Sequence, residues 1–361
     1  MKKQNASLLL SLWAVITVLA WFSTSKAFSD TERRPLEQMP TIKVDALLSG
    51  SFMTDFEDYT LDQFPLRDGF RTVKSLFHSY ILGQKDNNGI YLFDGYAAKQ
   101  EYSLREESVV HALERFNRLH EKYLTDSKVY MAIVPDKGYY LAESSGHLAM
   151  DYVAMFTAFR EELPWAEQID LTEVLSLEDY YRTDTHWRQE KLPDVAAKIC
   201  QAMGVTAPKT EDFSVRALER PFYGVYYGQA ALPMEAETMY VLESEWLKNC
   251  TVYDHESGKT TSVYDESKLN GKDLYEVFLS GSKSLLTIHN PGGQTGKELI
   301  VFRDSFGSAM VPLLLQDYET VTVVDIRYIQ MDLLERFVDF NGQDVLLLYS
   351  TLVLNNSETI K

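Results

Sequence analysis

The sequence predicts an α/β fold, a three-layer domain with a parallel sheet covered by helices on both faces. Two observations point to it. Strand-length runs such as "KVYMAIVPDK", "ELIVF", "TVTVVDI" and "DVLLLYS" alternate with helical segments of ordinary length. The runs are also almost wholly apolar, as strands buried on both faces are, rather than alternating polar and apolar. With 361 residues, 45% of them hydrophobic, the chain can build one large core or two modest ones.

From the N-terminus, residues 1–27 read as a signal anchor or signal peptide. Lys2 and Lys3 precede an apolar run from Leu8 to Phe22, with no further charge until Lys26. A spanning helix needs about 20 apolar residues, so the run falls between a cleaved signal and a full anchor. Ser25-Lys26-Ala27 makes a poor cleavage site, which favours an uncleaved membrane-anchor helix with Lys2 and Lys3 in the cytoplasm and the rest outside. Secretion after cleavage is the alternative.

Residues 28–44 form a charged, proline-punctuated linker, and residues 45–361 the α/β domain. Two helices flank Pro65, the second from Arg67 to Leu82, and "GIYLFDGY" reads as a short strand and turn. In "SLREESVVHALERFNRLHEKYLTD", Ser103 suits an N-cap with Glu106 three residues on, and Val109, Leu113, Phe116 and Leu119 make one stripe. The strand "KVYMAIVPDK" leads to the helix "YVAMFTAFREEL", and "KLPDVAAKICQAMG" is a further helix stopped by Gly204. Residues 211–263 read as a small β-rich insertion. Beyond it, "GSAMVPLLLQDY" and "MDLLERFVDF" are the helices between the last three strands.

Fifty-three acidic against 35 basic residues give a net charge of -18, which argues against nucleic acid or an anionic membrane surface as partner of the folded body. Cys200 and Cys250 are open to two readings, a disulfide or two buried thiols. Neither has a second cysteine or histidine at ligand spacing, so no metal site is read, nor any nucleotide or coenzyme site.

Ligands of open parallel sheets bind beyond the C-terminal strand ends. There "ELIVF" runs directly into "RDSFGSAM", placing Ser305 where a strand turns into a helix. Such a serine either caps the helix or acts as a nucleophile, with nearby backbone N–H groups facing an oxyanion. A nucleophile needs a base and the base an orienter. In "YYRTDTHWRQ", Asp184 and His186 stand two residues apart; in an extended segment both point to one side and Trp187 to the other. Asp136 and Lys137 follow a core strand at the same sheet end and could reach substrate or form a turn. Asp325 and Arg327 end another strand and suggest a structural ion pair. The aromatic "FYGVYYG", which includes Tyr227, suits either sugar stacking or packing.

Taken together, "DQFPLRDGFR", "VPDKGYY", "YYRTDTHW", "RDSFGSAMVPLL" and "VVDIRY" resemble the SGNH-hydrolase-like proteins of bacterial polysaccharide O-acetylation, the AlgJ/AlgX type, and most of all the DHHW group. The resemblance implies that the three-layer domain is SGNH-hydrolase-like, with an Asp-His-Ser triad carried onto Asp184, His186 and Ser305. Arg303 stands where SGNH esterases have glycine before Asp-Ser, and Thr185 where the group's name has its first histidine. The same resemblance implies an extracytoplasmic serine O-acetyltransferase acting on a cell-surface polysaccharide. Arg303, as a departure from the motif, and Lys137 and Tyr227, by their positions in the chain, are candidate substrate contacts. A membrane-bound O-acyltransferase is the implied partner, supplying acetyl groups from across the membrane. An acetyl-esterase with the same triad, or an inactive polysaccharide-binding protein, are the alternatives.

Overall fold

In the computed structural model, residues 2–361 are described, apart from the side chains of residues 2–5, 8, 9, 12 and 21. The chain divides into two compact units, one made of the residues up to Asn88 with Tyr227–Met234, the other of Gly89–Tyr226 with Glu235–Lys361.

The larger unit is built on an eight-stranded sheet. Its strands are β1 (Val129–Val134), β2 (Ala166–Ile169), β3 (Thr251–Asp254), β4 (Lys259–Thr261), β5 (Leu285–His289), β6 (Gln294–Arg303), β7 (Tyr318–Val324) and β8 (Asp344–Ser350). They lie in the order β4-β3-β5-β7-β6-β8-β1-β2. Every pairing from β7 to β2 is parallel, while β5, β3 and β4 add an antiparallel edge. The mixed α/β fold with a mostly parallel sheet is therefore as the sequence predicts. The edge strands β3 and β4 come from the segment read as an insertion, and they extend the main sheet instead of standing apart from it.

Side chains along each strand alternate between two cores, because successive residues point to opposite faces. Tyr130, Ala132, Leu299, Val301, Leu346 and Leu348 join one core, against the helix Pro193–Ala202. Val129, Met131, Ile300, Phe302, Val345 and Leu347 join the other, against the helices Glu106–Leu119 and Tyr152–Glu162. That alternation produces three layers. Register sets Phe302 beside Leu347 and Ser350 beside Val134, so the C-terminal ends of β6, β8 and β1 open side by side.

Local expectations were met unevenly. The helix Glu106–Leu119 starts after Arg105 with no side-chain cap, so Ser103 is not its N-cap. "GSAMVPLL" is only a four-residue α-helix, Gly307–Met310, followed by a 3-10 turn at Val311–Leu314, since Pro312 has no N–H to continue the ladder. "MDLLERFVDF" likewise forms a 3-10 turn, Met331–Arg336. Cys200 and Cys250 are both free and buried, and burial pushes their thiols up to about 12 and about 11.

The smaller unit contains the helices Ser51–Asp62 and Arg67–Leu76, the latter running on to Ile81. Asp62 takes both ends of the Arg34 guanidinium at 2.8 and 2.6 Å, and Glu32 pairs with Arg67 and Arg71. Arg71 also donates to the carbonyls of Gly228 and Gln229, and Asn87 to that of Ala230, which ties Tyr227–Met234 into this unit. Its first helix, Lys2–Phe22, covers the expected anchor segment. Among the described residues no helix is long and apolar enough to cross a membrane. The side chains of Lys2 and Lys3, on which the expected orientation rests, lie outside the described residues.

Leu346 sits at mid-strand in β8, fully buried between β6 and β1. Leu346→Ala is expected to cost about 2–5 kcal/mol, as cavity-forming core truncations do, read from the shift in a chemical denaturation midpoint.

Candidate active site

The loop carrying Asp184 and His186 is not the extended segment the sequence suggests. Tyr180 and Trp187 form an isolated antiparallel bridge, and the Tyr181 N–H donates to the His186 carbonyl, closing residues 182–185 into a tight loop. Within it the His186 backbone N–H donates to Asp184 Oδ1 at 3.1 Å, a turn that folds the two side chains together. The same carboxylate oxygen lies 2.6 Å from His186 Nδ1. His186 Nε2 lies 2.7 Å from Ser305 Oγ. Asp184 is fully buried, His186 nearly so, and Ser305 partly exposed. The structure thus joins Asp184, His186 and Ser305 into one hydrogen-bonded chain, with the nucleophile-type oxygen at the open end.

Two rings pack on the imidazole, and a third backs one of them. Tyr275 stacks flat on the imidazole, with ring centroids 3.9 Å apart and 9° between planes. Phe306 tilts against it at 5.0 Å, and Trp187 meets Phe306 edge-on at 5.5 Å while donating its indole N–H to the Phe306 carbonyl. Trp187 is buried, as expected from its position after His186. Asp184 Oδ2 accepts from the Val225 N–H at 2.8 Å, which completes the carboxylate. This approach is so close that a Cβ on Gly224 would sit 2.3 Å from that of Asp184.

The turn before Ser305 is fixed by Asp304. Its carboxylate accepts from the Phe306 N–H at 3.0 Å, and from the Ser350 N–H and hydroxyl at 2.7 and 2.6 Å. The Gly307 N–H goes to the Asp304 carbonyl. The N–H groups following Ser305 are therefore engaged, contrary to the expectation of several donors there. Among the described residues, the N–H of Ser305 itself has no hydrogen-bond partner.

The other candidates serve the frame. Arg303 is fully buried, donates to the carbonyls of Gly281 and Asp304, and lies 3.7 Å from Asp325. Asp325 in turn pairs with Arg327 at 2.6 Å, the structural ion pair read from sequence. Lys137 is also buried and donates to the carbonyls of Tyr181 and Arg182 at 2.8 and 3.2 Å. Burial pulls its ammonium down to about 7, against the opposing effect of Asp184, Glu237 and Asp136. Asp136 accepts from Gly138, Tyr152 and Thr351, tying the loop after β1 to the end of β8; burial raises its pKa. Tyr227 belongs to the smaller unit and is half-buried there. Sequence reasoning singled out "FYGVYYG" for sugar stacking or packing without the hold of its Gly224 and Val225 on Asp184, and it missed Tyr275 and Glu237. Neither carries a local signal, since each reaches the loop from a distant segment.

Residues 174–324 match the DHHW protein family. The DHHW match spans the Asp184/His186 loop and Ser305. A DHHW family protein from Eubacterium siraeum superposes with a TM-score of 0.61 at 21% identity, covering 76% of this chain and 95% of its own. Bacillus cereus PatB1 follows at 0.60 and 18%, covering 75% and 98%, and has also been solved with a sulfonyl adduct. The O-acetyltransferase domain of Pseudomonas putida AlgJ is looser, at 0.43 and 14%, covering 74% and 92%. At these identities the DHHW and PatB1 structures share the fold. No curated protein matches the chain.

Gly224→Ala is expected to destabilise the chain by about 1–3 kcal/mol through overpacking against Asp184, seen as a lowered melting temperature. Lys137 gives a pH signature. Its folded pKa of about 7 lies below the ordinary 10.5, so the unfolded chain binds more protons between those values. Its contribution makes stability rise with pH from about 7 to 10.5, and that rise should be missing when Lys137→Met is compared with the unsubstituted protein by denaturation at several pH values.

Proposed function

We propose that the protein is an O-acetyltransferase of cell-surface polysaccharide that works through an acyl-enzyme on Ser305. The observation that carries this reading is the hydrogen-bonded chain from Asp184 through His186 to Ser305 at the C-terminal end of a parallel sheet. Ser305 Oγ attacks the acetyl carbonyl while His186 Nε2 takes its proton. The tetrahedral oxyanion receives the Ser305 N–H. Collapse expels the donor's oxygen, which leaves with the proton from His186, and an acetyl ester remains on Ser305. A sugar hydroxyl then gives its proton to His186 and attacks that ester; the acetyl group passes to the sugar and Ser305 regains its proton. Asp184 keeps Nδ1 as the protonated nitrogen and stabilises the imidazolium that forms in each half.

The sugar acceptor and the acetyl donor come from the DHHW resemblance together with the N-terminal segment. The positively charged start and apolar run support an extracytoplasmic domain held at the membrane, with a membrane-bound O-acyltransferase as donor. The partly exposed Ser305 beside otherwise buried partners suits a site that must admit a large acceptor.

A sulfonyl fluoride is expected to add one sulfonyl group to Ser305, detected by intact mass and peptide mapping. Ser305→Ala and His186→Ala should abolish the addition, and Asp184→Asn should slow it by at least about a hundredfold. Absence of labelling in the unsubstituted protein would sink the acyl-enzyme. With an activated acetyl ester and a deacetylated oligosaccharide, acetylated sugar is the expected product; release of acetate indifferent to the sugar would instead make the enzyme an esterase.

A further inference from the structure

We infer that Lys137 and Glu237 form a two-charge clamp that positions the Asp184/His186 loop against Ser305. The two grip one residue from opposite ends. The Lys137 ammonium takes the Arg182 carbonyl at 3.2 Å and that of Tyr181 at 2.8 Å. The Glu237 carboxylate takes the N–H groups of Arg182 and Thr183, each at 2.8 Å, and the Thr183 hydroxyl at 2.6 Å. Thr183 Oγ1 passes the hold on by accepting from the Gly224 N–H at 2.9 Å, one residue before the N–H that completes Asp184.

Both charges come from well-anchored elements of the larger unit. Lys137 opens the helix that follows β1, and Glu237 opens the strand Glu237–Glu243. The Lys137 ammonium lies over the rings of Tyr226 and Tyr96, with Nζ 5.1 and 5.9 Å from their centroids. A buried cation is costly, and a neutral side chain of the same shape would pack there with less penalty. What the ammonium adds is two charge-assisted bonds to the backbone of a loop that holds the base and its orienter. The loop has no regular secondary structure between Tyr181 and His186, so its shape depends on such side-chain bonds.

The clamp also sets charge near the base. Facing the Lys137 ammonium are the carboxylates of Asp184, Glu237 and Asp136 and the phenols of Tyr226 and Tyr96. Facing His186 are Asp184 and the buried Tyr275. Removing the lysine charge leaves Asp184 a stronger partner for the imidazolium; removing the Glu237 charge acts in the opposite sense.

The test uses the full chain with Lys137→Met and, nearer the surface, Glu237→Gln. The probe is phenylmethylsulfonyl fluoride, its rate of addition at Ser305 followed against pH beside thermal melting and hydrogen exchange over residues 180–187. Each folded variant is expected to react about tenfold or more slowly, as misplaced catalytic groups do. The acid limb of the rate should move up in pH for Lys137→Met and down for Glu237→Gln, a shift that a purely structural staple would not produce. Folded variants with unchanged rate and limb would overturn the clamp. The activity arm rests on the acyl-enzyme reading. Should the unsubstituted protein take no label, that reading fails by itself, and exchange decides the clamp: faster exchange at Arg182 and Thr183 in the variants upholds it, unchanged exchange overturns it.

Discussion

A buried carboxylate organises this site. Asp184 has no exposure to water, and an ionised group in that position is tolerable only when its oxygens are fully engaged. One oxygen takes both the imidazole and the backbone N–H of His186; the other takes the N–H of Val225. Those bonds impose much else. A chain segment forty residues on must come within van der Waals contact, and only a glycine at position 224 leaves room. The loop must close tightly enough for the Asp184 side chain to reach its own backbone two residues later.

The serine is placed by a different mechanism. Its strand, β6, lies at the middle of the sheet, and the carboxylates of Asp304 and Asp136 stitch the loops after β6 and β1 to the start of the segment after β8. Ser305 thus inherits its position from strand register in the core. His186 inherits its position from side-chain bonds around an irregular loop. Two organising principles meet at the 2.7 Å contact between Nε2 and Oγ.

That division explains what could be read from the chain beforehand. The strands, the sheet class and the junction at Ser305 arise from apolar runs, which are local and dense in signal. The Asp-x-His spacing was legible, but the tight turn that folds the two side chains together was not, because a loop closed by the Tyr180 to Trp187 bridge follows no periodicity. Arg303 and Lys137 looked like substrate contacts because they are charged and sit at the right strand ends; burial turned them inward, and burial is a tertiary property. The short helix after Ser305 shows the same limit in reverse. An apolar pattern suggested a long helix, and Pro312 cut it after four residues. Glu237, Gly224 and Tyr275 were silent because their roles arise only from where the chain returns.

The spacing of two residues between Asp184 and His186 has a mechanical consequence. In a site whose three groups sit on three separate elements, any shift alters two distances and disturbs the tautomer as well as the reach. Here Asp184 and His186 ride on one tight loop, joined by two hydrogen bonds. A displacement of that loop keeps the Asp184 to His186 bond but changes the gap to Ser305 together with the loop's bonds to Val225, Lys137 and Glu237. The Asp184 and His186 pair is therefore assembled within one loop, and its reach to Ser305 depends on how that loop is held.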